Sequence, residues 1–388
     1  MLEKFTIFGI GGCGSNIAYQ AAIQNQMQAI CIDTDSIALE NKEQSPYCKT
    51  LLVGQNRFDG LGTGGVIATA RMTANDIQSE LRKNLKEAET SLAIVVTGIG
   101  GGTGSTITPA LLQVARSLSI PTMVFIVFPF SIEGSEKNKI ANTAVKNICE
   151  LADIYCFFKN DDLCGSLLSQ TEVSLYDAME ESSEHIISGI TMLWRLFKKP
   201  GYINLDLATL LSCTKKGRGQ FYLSKGIAYG ETRMQEVIPQ LLSGNTGVNV
   251  HSNDIKHAIV GVYGGTDLRL NEISEIVSCL TTQLPQDTSI ALGTAIDPTL
   301  DGSIEIITLL FKNWVEQYAS IPETTIEHIS KPTQAMSSIG DYKKIVTPQT
   351  NTNSPLCEVF RGTQGIVYRG ENLDEPTYLR KRIPLSYI

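Results

Sequence analysis

Short, mainly apolar runs recur through the first part of the chain, at residues 5–10, 29–33, 49–53, 92–97, 122–128 and 154–158. Each is too short for a buried helix, and amphipathic stretches follow most of them. Such runs predict strands buried on both faces of a parallel sheet, with helices packed on either side. After the fourth run, Ile107, Leu111, Val114, Ala115 and Leu118 fall at helical spacing and mark the sheet-facing side of a helix at 106–118. The periodicity also predicts helices from Gly11 to about Gln24 and over 67–87. Residues 175–197 form a long helical pattern that stops before Lys199-Pro200-Gly201.

The texture changes beyond that helix. Shorter strand patterns at 220–223, 227–230, 257–263, 289–296 and 305–310 predict a second α/β domain with a mixed sheet. From about Val315 the periodicity is lost, and Pro, Thr, Ser, Asn and Gln predict a disordered tether. Apolar and basic groups return at Leu373 to Arg382, the composition of a docking peptide. The expected organisation is a Rossmann-like α/β domain with a mainly parallel sheet at 1–174 and a long central helix at 175–199. A second α/β domain at 200–314, a flexible linker at 315–370 and a docking peptide at 371–388 follow.

Two glycine loops carry the candidate chemistry. Gly98-Ile99-Gly100-Gly101-Gly102-Thr103-Gly104-Ser105 joins a strand to a helix and lets the backbone approach a ligand closely. The helix beyond it offers unpaired N–H groups and a positive dipole end, which together suit a phosphate. No Lys follows the last Gly, so this is not a Walker loop. Gly9-x-Gly11-x-x-Gly14 also follows a strand, with Asp33 about 20 residues on, which is the fingerprint of a dinucleotide site. A NAD-dependent dehydrogenase is therefore one reading. A second, richer glycine loop on the same sheet favours a nucleoside triphosphate, because one pyrophosphate needs only one loop. The four histidines, at 185, 251, 257 and 328, fall in helix-like or loop contexts with no paired acid, so no hydride-transfer set is visible.

Composition narrows the classes further. With 388 residues there is chain enough for two full cores, and the net charge of −8 gives no support to nucleic-acid binding. Nine cysteines without any CxxC pair suit reduced thiols in a cytoplasm, and no metal-ligating pattern is present. No signal peptide is visible, and no apolar run reaches the roughly 18 residues a membrane span requires. The expectation is a cytoplasmic protein that does not insert into membranes.

The loop Gly100 to Ser105 resembles the signature of the tubulin/FtsZ family of GTPases, and the likeness runs in order from residue 5 to 314. Gly9 to Asn16 resembles its first phosphate loop, Phe128-Pro-Phe-Ser-Ile-Glu133-Gly134 its ribose loop, and Asn160-Asp161-Asp162-Leu163 its strand-end Asn-Asp motif. Pro200-Gly-Tyr-Ile-Asn204-Leu-Asp206 resembles the loop that completes the active site, and Gly264 to Leu270 a segment of the second domain. Leu373 to Arg382 resembles the family's C-terminal docking peptide.

The resemblance implies a GTPase that polymerises head to tail into protofilaments of the ring at the bacterial division septum. GTP or GDP phosphates would lie on Gly11, Gly12, Cys13, Gly14, Gly101, Gly102, Thr103, Gly104 and Ser105, with Mg²⁺ held mainly through phosphates and water. Glu133 and Lys137 would lie by the ribose, and Asn16, Asn160 and Glu184 by the base. Asn204 and Asp206 would be catalytic in the neighbouring subunit's pocket. Residues 372–388 would bind a membrane-tethered division adaptor.

Three positions depart from the family pattern. Thr209 stands where a second acid is usual, which predicts slowed hydrolysis and longer-lived filaments. Glu184 replaces an Asp that reads the guanine edge. Gly64-Gly65-Val66-Ile67 lacks the usual Asn-Pro of the loop that senses the γ-phosphate, which predicts a looser loop. Together they keep open a filament-forming paralogue that binds GTP but hydrolyses it poorly.

Overall fold

The computed structural model describes residues 4–40, 42, 45–163, 174–198, 201–215, 219–243 and 255–312, and two short strands at 367–368 and 371–372. The chain divides into two units, Met1–Ile321 and Pro322–Ile388. In the second unit the described residues are β11 (Val367–Tyr368) and β12 (Glu371–Asn372), an antiparallel pair. The linker and docking peptide expected at 315–388 otherwise lie outside the described residues.

Six strands make the first half of the sheet: β1 (Phe5–Ile10), β2 (Gln28–Asp33), β3 (Cys48–Leu52), β4 (Leu92–Gly98), β5 (Thr122–Phe128) and β6 (Ile154–Lys159). All pair in parallel, in the order β3-β2-β1-β4-β5-β6. Every residue of β1 is buried, as the unbroken apolar run requires of a strand covered on both faces. The helices Gly11–Asn25 and Leu175–Lys198 cover one face, and the helices at 67–87, 102–117 and 135–151 cover the other.

The second half is mixed, as its shorter strand patterns predict. β7 (Gly219–Tyr229), β8 (Ile255–Gly264), β9 (Ser289–Ile296) and β10 (Ser303–Lys312) follow in the order β7-β10-β8-β9. β10 runs antiparallel to β7 and β8, and β8 runs parallel to β9. The halves share one ten-stranded sheet, because the start of β7 pairs with β6 at Ile154–Gly219 and Tyr155–Gln220. Aromatic rings continue that seam. Phe125 lies 5.8 Å from both Phe158 and Phe221, and Phe221 lies 6.0 Å from Phe311.

The long central helix Leu175–Lys198 buries Ile186, Ile187, Ile190, Leu193 and Leu196 along one stripe. It is bonded to both halves. Asn25 donates to Thr191 Oγ1 at 2.8 Å, and Arg195 meets Glu305 at 2.6 Å while lying over the Tyr263 ring.

Three features differ from the sequence reading. The helix expected over 67–87 is two, Ile67–Asp76 and Gln78–Glu87. Ile77 sits buried between them, so packing of that side chain outweighs continuity after the weak helix formers Asn75 and Asp76. The strands expected at 220–223 and 227–230 are one, β7, because Gly226 is not a turn. A methyl group there would meet Val237 Cγ2 at 2.7 Å, so this glycine admits the helix Arg233–Ser243 against the sheet. His257 lies in β8, as the strand pattern at 257–263 predicts, and not in the helix-like or loop context read for the four histidines.

Phe221 is wholly buried at the seam of the two halves. Phe221→Ala is expected to lower the unfolding free energy by about 3–5 kcal/mol, measured by denaturant titration.

Candidate nucleotide-binding site

The strand order reverses direction at β1 and β4: the chain leaves β1 toward β2 on one side and leaves β4 toward β5 on the other. This is the topological switch point at which open α/β sheets bind ligands beyond the strands' carboxyl ends. A cavity of about 800 Å³ lies there. Its walls come from the residues that follow the strands: Gly11 to Cys13 after β1, Asp33 to Asp35 at the end of β2, Gly98 to Gly104 after β4, and Asn160 after β6.

Two helices begin at this cavity, Gly11–Asn25 and Gly102–Ser117. The second starts one turn earlier than its hydrophobic period predicts, because Gly102 to Ser105 are already helical. Neither helix has a side-chain cap. An α-helix leaves its first four N–H groups without intrahelical partners, and here no side chain supplies one. The same N–H groups carry the positive end of each helix dipole. Two uncapped ends on one cavity form a site for a polyanion.

Close backbone contact explains the glycines. A methyl group on Gly104 would meet Gly98 O at 2.1 Å, so the two arms of the loop touch only because it is absent. Gly100 has φ +103°, and its N–H donates to Ser105 Oγ at 3.1 Å. By contrast, nothing lies within 4 Å of where a methyl group on Gly12 or Gly101 would sit. Those two positions are open toward the space a ligand would fill.

The sequence-derived residues divide by location. Gly11, Gly12, Cys13, Gly101, Gly102, Thr103, Gly104, Glu133, Lys137 and Asn160 line the cavity. Gly14 and Ser105 stand behind it: Gly14 packs on the Val96 carbonyl, and Ser105 braces the Gly100 turn. Asn16 and Glu184 are exposed and lie outside the lining. Asn204 and Asp206 are also exposed and belong to a separate loop.

Glu133 is held from two sides. Phe130 N–H donates to its Oε1 at 2.9 Å, and Lys137 Nζ donates to Oε2 at 2.8 Å. Ser182 donates to Asn160 Oδ1 at 2.8 Å, which ties the strand-end motif to the central helix. Asp161 accepts the Ser131 N–H at 3.0 Å and so steadies the same rim.

Asp33, the acid of the dinucleotide reading, is buried and turned to its own chain. Its Oδ1 accepts the N–H groups of Thr34 and Asp35 at 2.7 and 3.3 Å. Burial raises its pKa, partly offset by those bonds.

Sequence reasoning missed Thr34, Thr63, Glu136 and Met179 in the lining. Thr34 and Thr103 share a hydroxyl bond of 2.8 Å, which links β2 to the second glycine loop. Thr63 lies so close to Gly102 that a methyl group there would sit 2.2 Å from its Oγ1. Just before it, Gly62 N–H donates to Thr34 O at 3.1 Å and Ser36 N–H donates to Gly60 O at 2.8 Å. The signal available for Thr63 was its place among glycines 60, 62, 64 and 65.

Fold and site define an α/β protein whose switch-point cavity is walled by two uncapped helix starts. The family model of the tubulin/FtsZ GTPase domain matches residues 4–167, and that of the FtsZ C-terminal domain matches 219–311. The chain belongs to the tubulin/FtsZ family of GTPases. It is 24% identical to the cell division protein FtsZ of Buchnera aphidicola subsp. Acyrthosiphon pisum over 379 residues, 97% of this chain and 96% of that protein. With the cell division protein FtsZ 1 of Archaeoglobus fulgidus it shares 26% identity over 307 residues, 78% of this chain and 80% of the relative.

Among solved structures, an empty FtsZ dimer from M. jannaschii superposes with a TM-score of 0.72 at 23% identity, covering 82% of this chain and 90% of that one. A GTPγS-bound protofilament of CetZ2 from Haloferax volcanii gives 0.65 at 21% identity, covering 79% and 92%. The dehydrogenase reading is set aside by this membership.

Gly104→Ala is expected to lower thermal stability and to abolish binding of a fluorescent GTP analogue. Gly101→Ala, with no atom of the protein in the way, is expected to melt with the parent protein. Its nucleotide binding should nonetheless be roughly tenfold weaker, about the worth of one charge-assisted hydrogen bond. Equal effects of the two substitutions on both measurements would contradict this account of the loop.

Proposed function

We propose that this protein binds GTP at the switch point and hydrolyses it in head-to-tail filaments, each subunit completing its neighbour's site. The observation that carries the reading is a division of labour within the chain. Among the described residues the cavity has two uncapped helix ends, and neither Asn204 nor Asp206 is in its lining. Asn204 and Asp206 are presented to the outside on another loop.

Phosphoryl transfer asks a protein mainly for positioning and for stabilisation of developing charge. The N–H groups of Gly11, Gly12 and Gly101 to Gly104 supply donors already oriented by their helices. They matter more here because the cavity's own side chains are acidic: Asp33, Asp35, Glu133 and Glu136 against Lys137. No three His, Cys, Asp or Glu side chains converge into a metal cluster among the described residues. The carboxylates in the lining fit a hard cation, and Mg²⁺ would be held chiefly through phosphate and water and would supply charge neutralisation.

Asp206 is suited to orient and polarise water. Hydrogen bonds from Thr209, the side-chain bond foremost, hold its carboxyl below the ordinary Asp range. They favour its charged form, which accepts a hydrogen bond from water, and make it a weaker proton acceptor than an ordinary Asp. Asn204 turns its Oδ1 inward to accept Gly201 N–H at 3.0 Å, so its contribution includes closing this loop. The heterologous, open contact implied by such a shared site generates a filament rather than a closed ring of few subunits.

The names of the curated relatives support a role in cell division, and the dimer and protofilament among the structural neighbours support a homopolymer. The proposal extends to the division septum, reached through an adaptor that binds residues 372–388. No helix among the described residues is long and apolar enough to cross a membrane.

Asp206→Asn is expected to leave GTP-dependent sedimentation intact and to reduce phosphate release per pelleted subunit by roughly a hundredfold, a typical worth of acid–base catalysis. Parent protein that pellets with GTP but releases negligible phosphate would favour the poorly hydrolysing paralogue. Deleting residues 372–388 is expected to preserve assembly in solution and to abolish recruitment to the septum in cells. Loss of assembly on that deletion would remove the tail's separate role.

A further inference from the structure

The loop that carries Asp206 is fastened from behind. A methyl group on Gly201 would sit 1.4 Å from the Thr294 carbonyl oxygen, so backbone lies directly on backbone there. Ile203 N–H donates to Thr294 Oγ1 at 3.1 Å, and Thr294 N–H donates back to Ile203 O at 2.8 Å. Leu205, Leu207 and Leu210 are buried in the core shared with the central helix. Asp206 stands exposed between two buried leucines, at the N-cap of the helix Leu207–Lys215.

An exposed carboxylate on such a loop would ordinarily rotate freely, and a base that rotates spends little time where it is needed. Here it is held. Asp206 Oδ1 accepts the backbone N–H of Thr209 at 2.8 Å and the Thr209 hydroxyl at 2.6 Å. The first bond is ordinary helix capping. The second is not needed to cap a helix, and it falls on the same oxygen. Two donors from one residue fix both side-chain torsions of Asp206, and neither falls on Oδ2.

We propose that Thr209 is a positioning residue, whose hydroxyl locks Oδ1 of Asp206 so that Oδ2 is presented to the water attacking in the neighbouring subunit's site. This rests on the reading of Asp206 as the acting carboxylate. It also changes the meaning of the departure at 209. The threonine is not an acid lost from a pair, nor a hydroxyl left to orient water by itself. It replaces a second negative charge, which would repel Asp206, with a donor that holds it.

The test uses the full-length chain assembled with GTP. Phosphate release per pelleted subunit is measured across the acid side of the pH profile. Thr209→Val keeps the branched shape and the backbone N–H but removes the hydroxyl. A bond to the ionised form lowers a carboxyl's pKa, so its loss must raise it. The expected result is a rate roughly tenfold lower, the worth of one hydrogen bond to a charged group. The acid limb should move upward toward the ordinary Asp value, with KM for GTP unchanged. Thr209→Ser is expected to restore both the rate and the limb.

Wild-type rate and limb in Thr209→Val would overturn the proposal. So would a lower rate with an unmoved limb that Ser does not rescue, since that pattern is structural. If the valine variant does not pellet alone, it is co-assembled with excess wild-type chain, and the rate per incorporated subunit is read against the same two outcomes. Asp206→Asn separates the two readings. A retained rate in that variant overturns the role of Asp206 itself, whereas a lost rate beside a wild-type Thr209→Val overturns only the role of Thr209.

Discussion

Unpaired backbone N–H groups at a buried helix start must find partners, and this fold places two such starts side by side at the point where its strand order reverses. Neither the helix at Gly11 nor the one at Gly102 is capped by a side chain. Within the protein that is a cost, since orphan donors destabilise a helix end. An anion offsets it, which is why the most permissive residues in the chain are concentrated there and why the cavity needs so few basic side chains. The acidic lining makes the same point from the other side. A triphosphate would be repelled by Asp33, Asp35, Glu133 and Glu136 were its charge not met by amides, helix dipoles and a counter-cation.

The rest of the structure keeps those two ends in register. β1 and β4 are adjacent along their whole length, from Phe5–Leu92 to Ile10–Thr97, so the loops that follow them emerge together. A hydroxyl bond between Thr34 and Thr103 then ties the loop after β2 to the second glycine loop, and Thr63 packs closely on Gly102 from the glycine-rich loop at 59–65. The central helix carries this order outward. Through Asn160 and Ser182 it reaches the cavity rim, and through Arg195, Glu305 and Tyr263 it grips the second half of the sheet. The exposed loop of Asp206 is anchored to that second half by Thr294, so cavity and loop are parts of one continuous framework although they do not meet within a subunit.

This arrangement gives a physical sense to the departures from the family pattern. Glu184 projects to solvent, where it and Glu181 act on the half-buried Lys225. The segment 64–67, which lacks the usual Asn-Pro, follows Gly60 and Gly62, where Gly60 O accepts the Ser36 N–H and Gly62 N–H donates to Thr34 O.

Much of this was determined by the sequence alone. Strands buried on both faces must be apolar throughout, so β1, β4, β5 and β6 were legible as runs, and the parallel sheet followed from their alternation with helices. Glycines crowded between a strand and a helix marked the two loops that line the cavity, because few other functions need so much missing side chain. What only the tertiary structure decided were directions and partners. The helical phase of Gly11–Asn25 and Leu175–Lys198 turns Asn16 and Glu184 outward and brings Met179 in, and phase is set by which stripe packs on the sheet. Gly226 read as a break because the helix that packs over it comes from later in the chain. Asp33 suited a ribose by spacing but is used by its own backbone. The bond between Thr209 and Asp206 has the same character: a one-turn contact at a helix start, invisible in composition, fixed only when Leu205, Leu207 and Leu210 are buried beneath it.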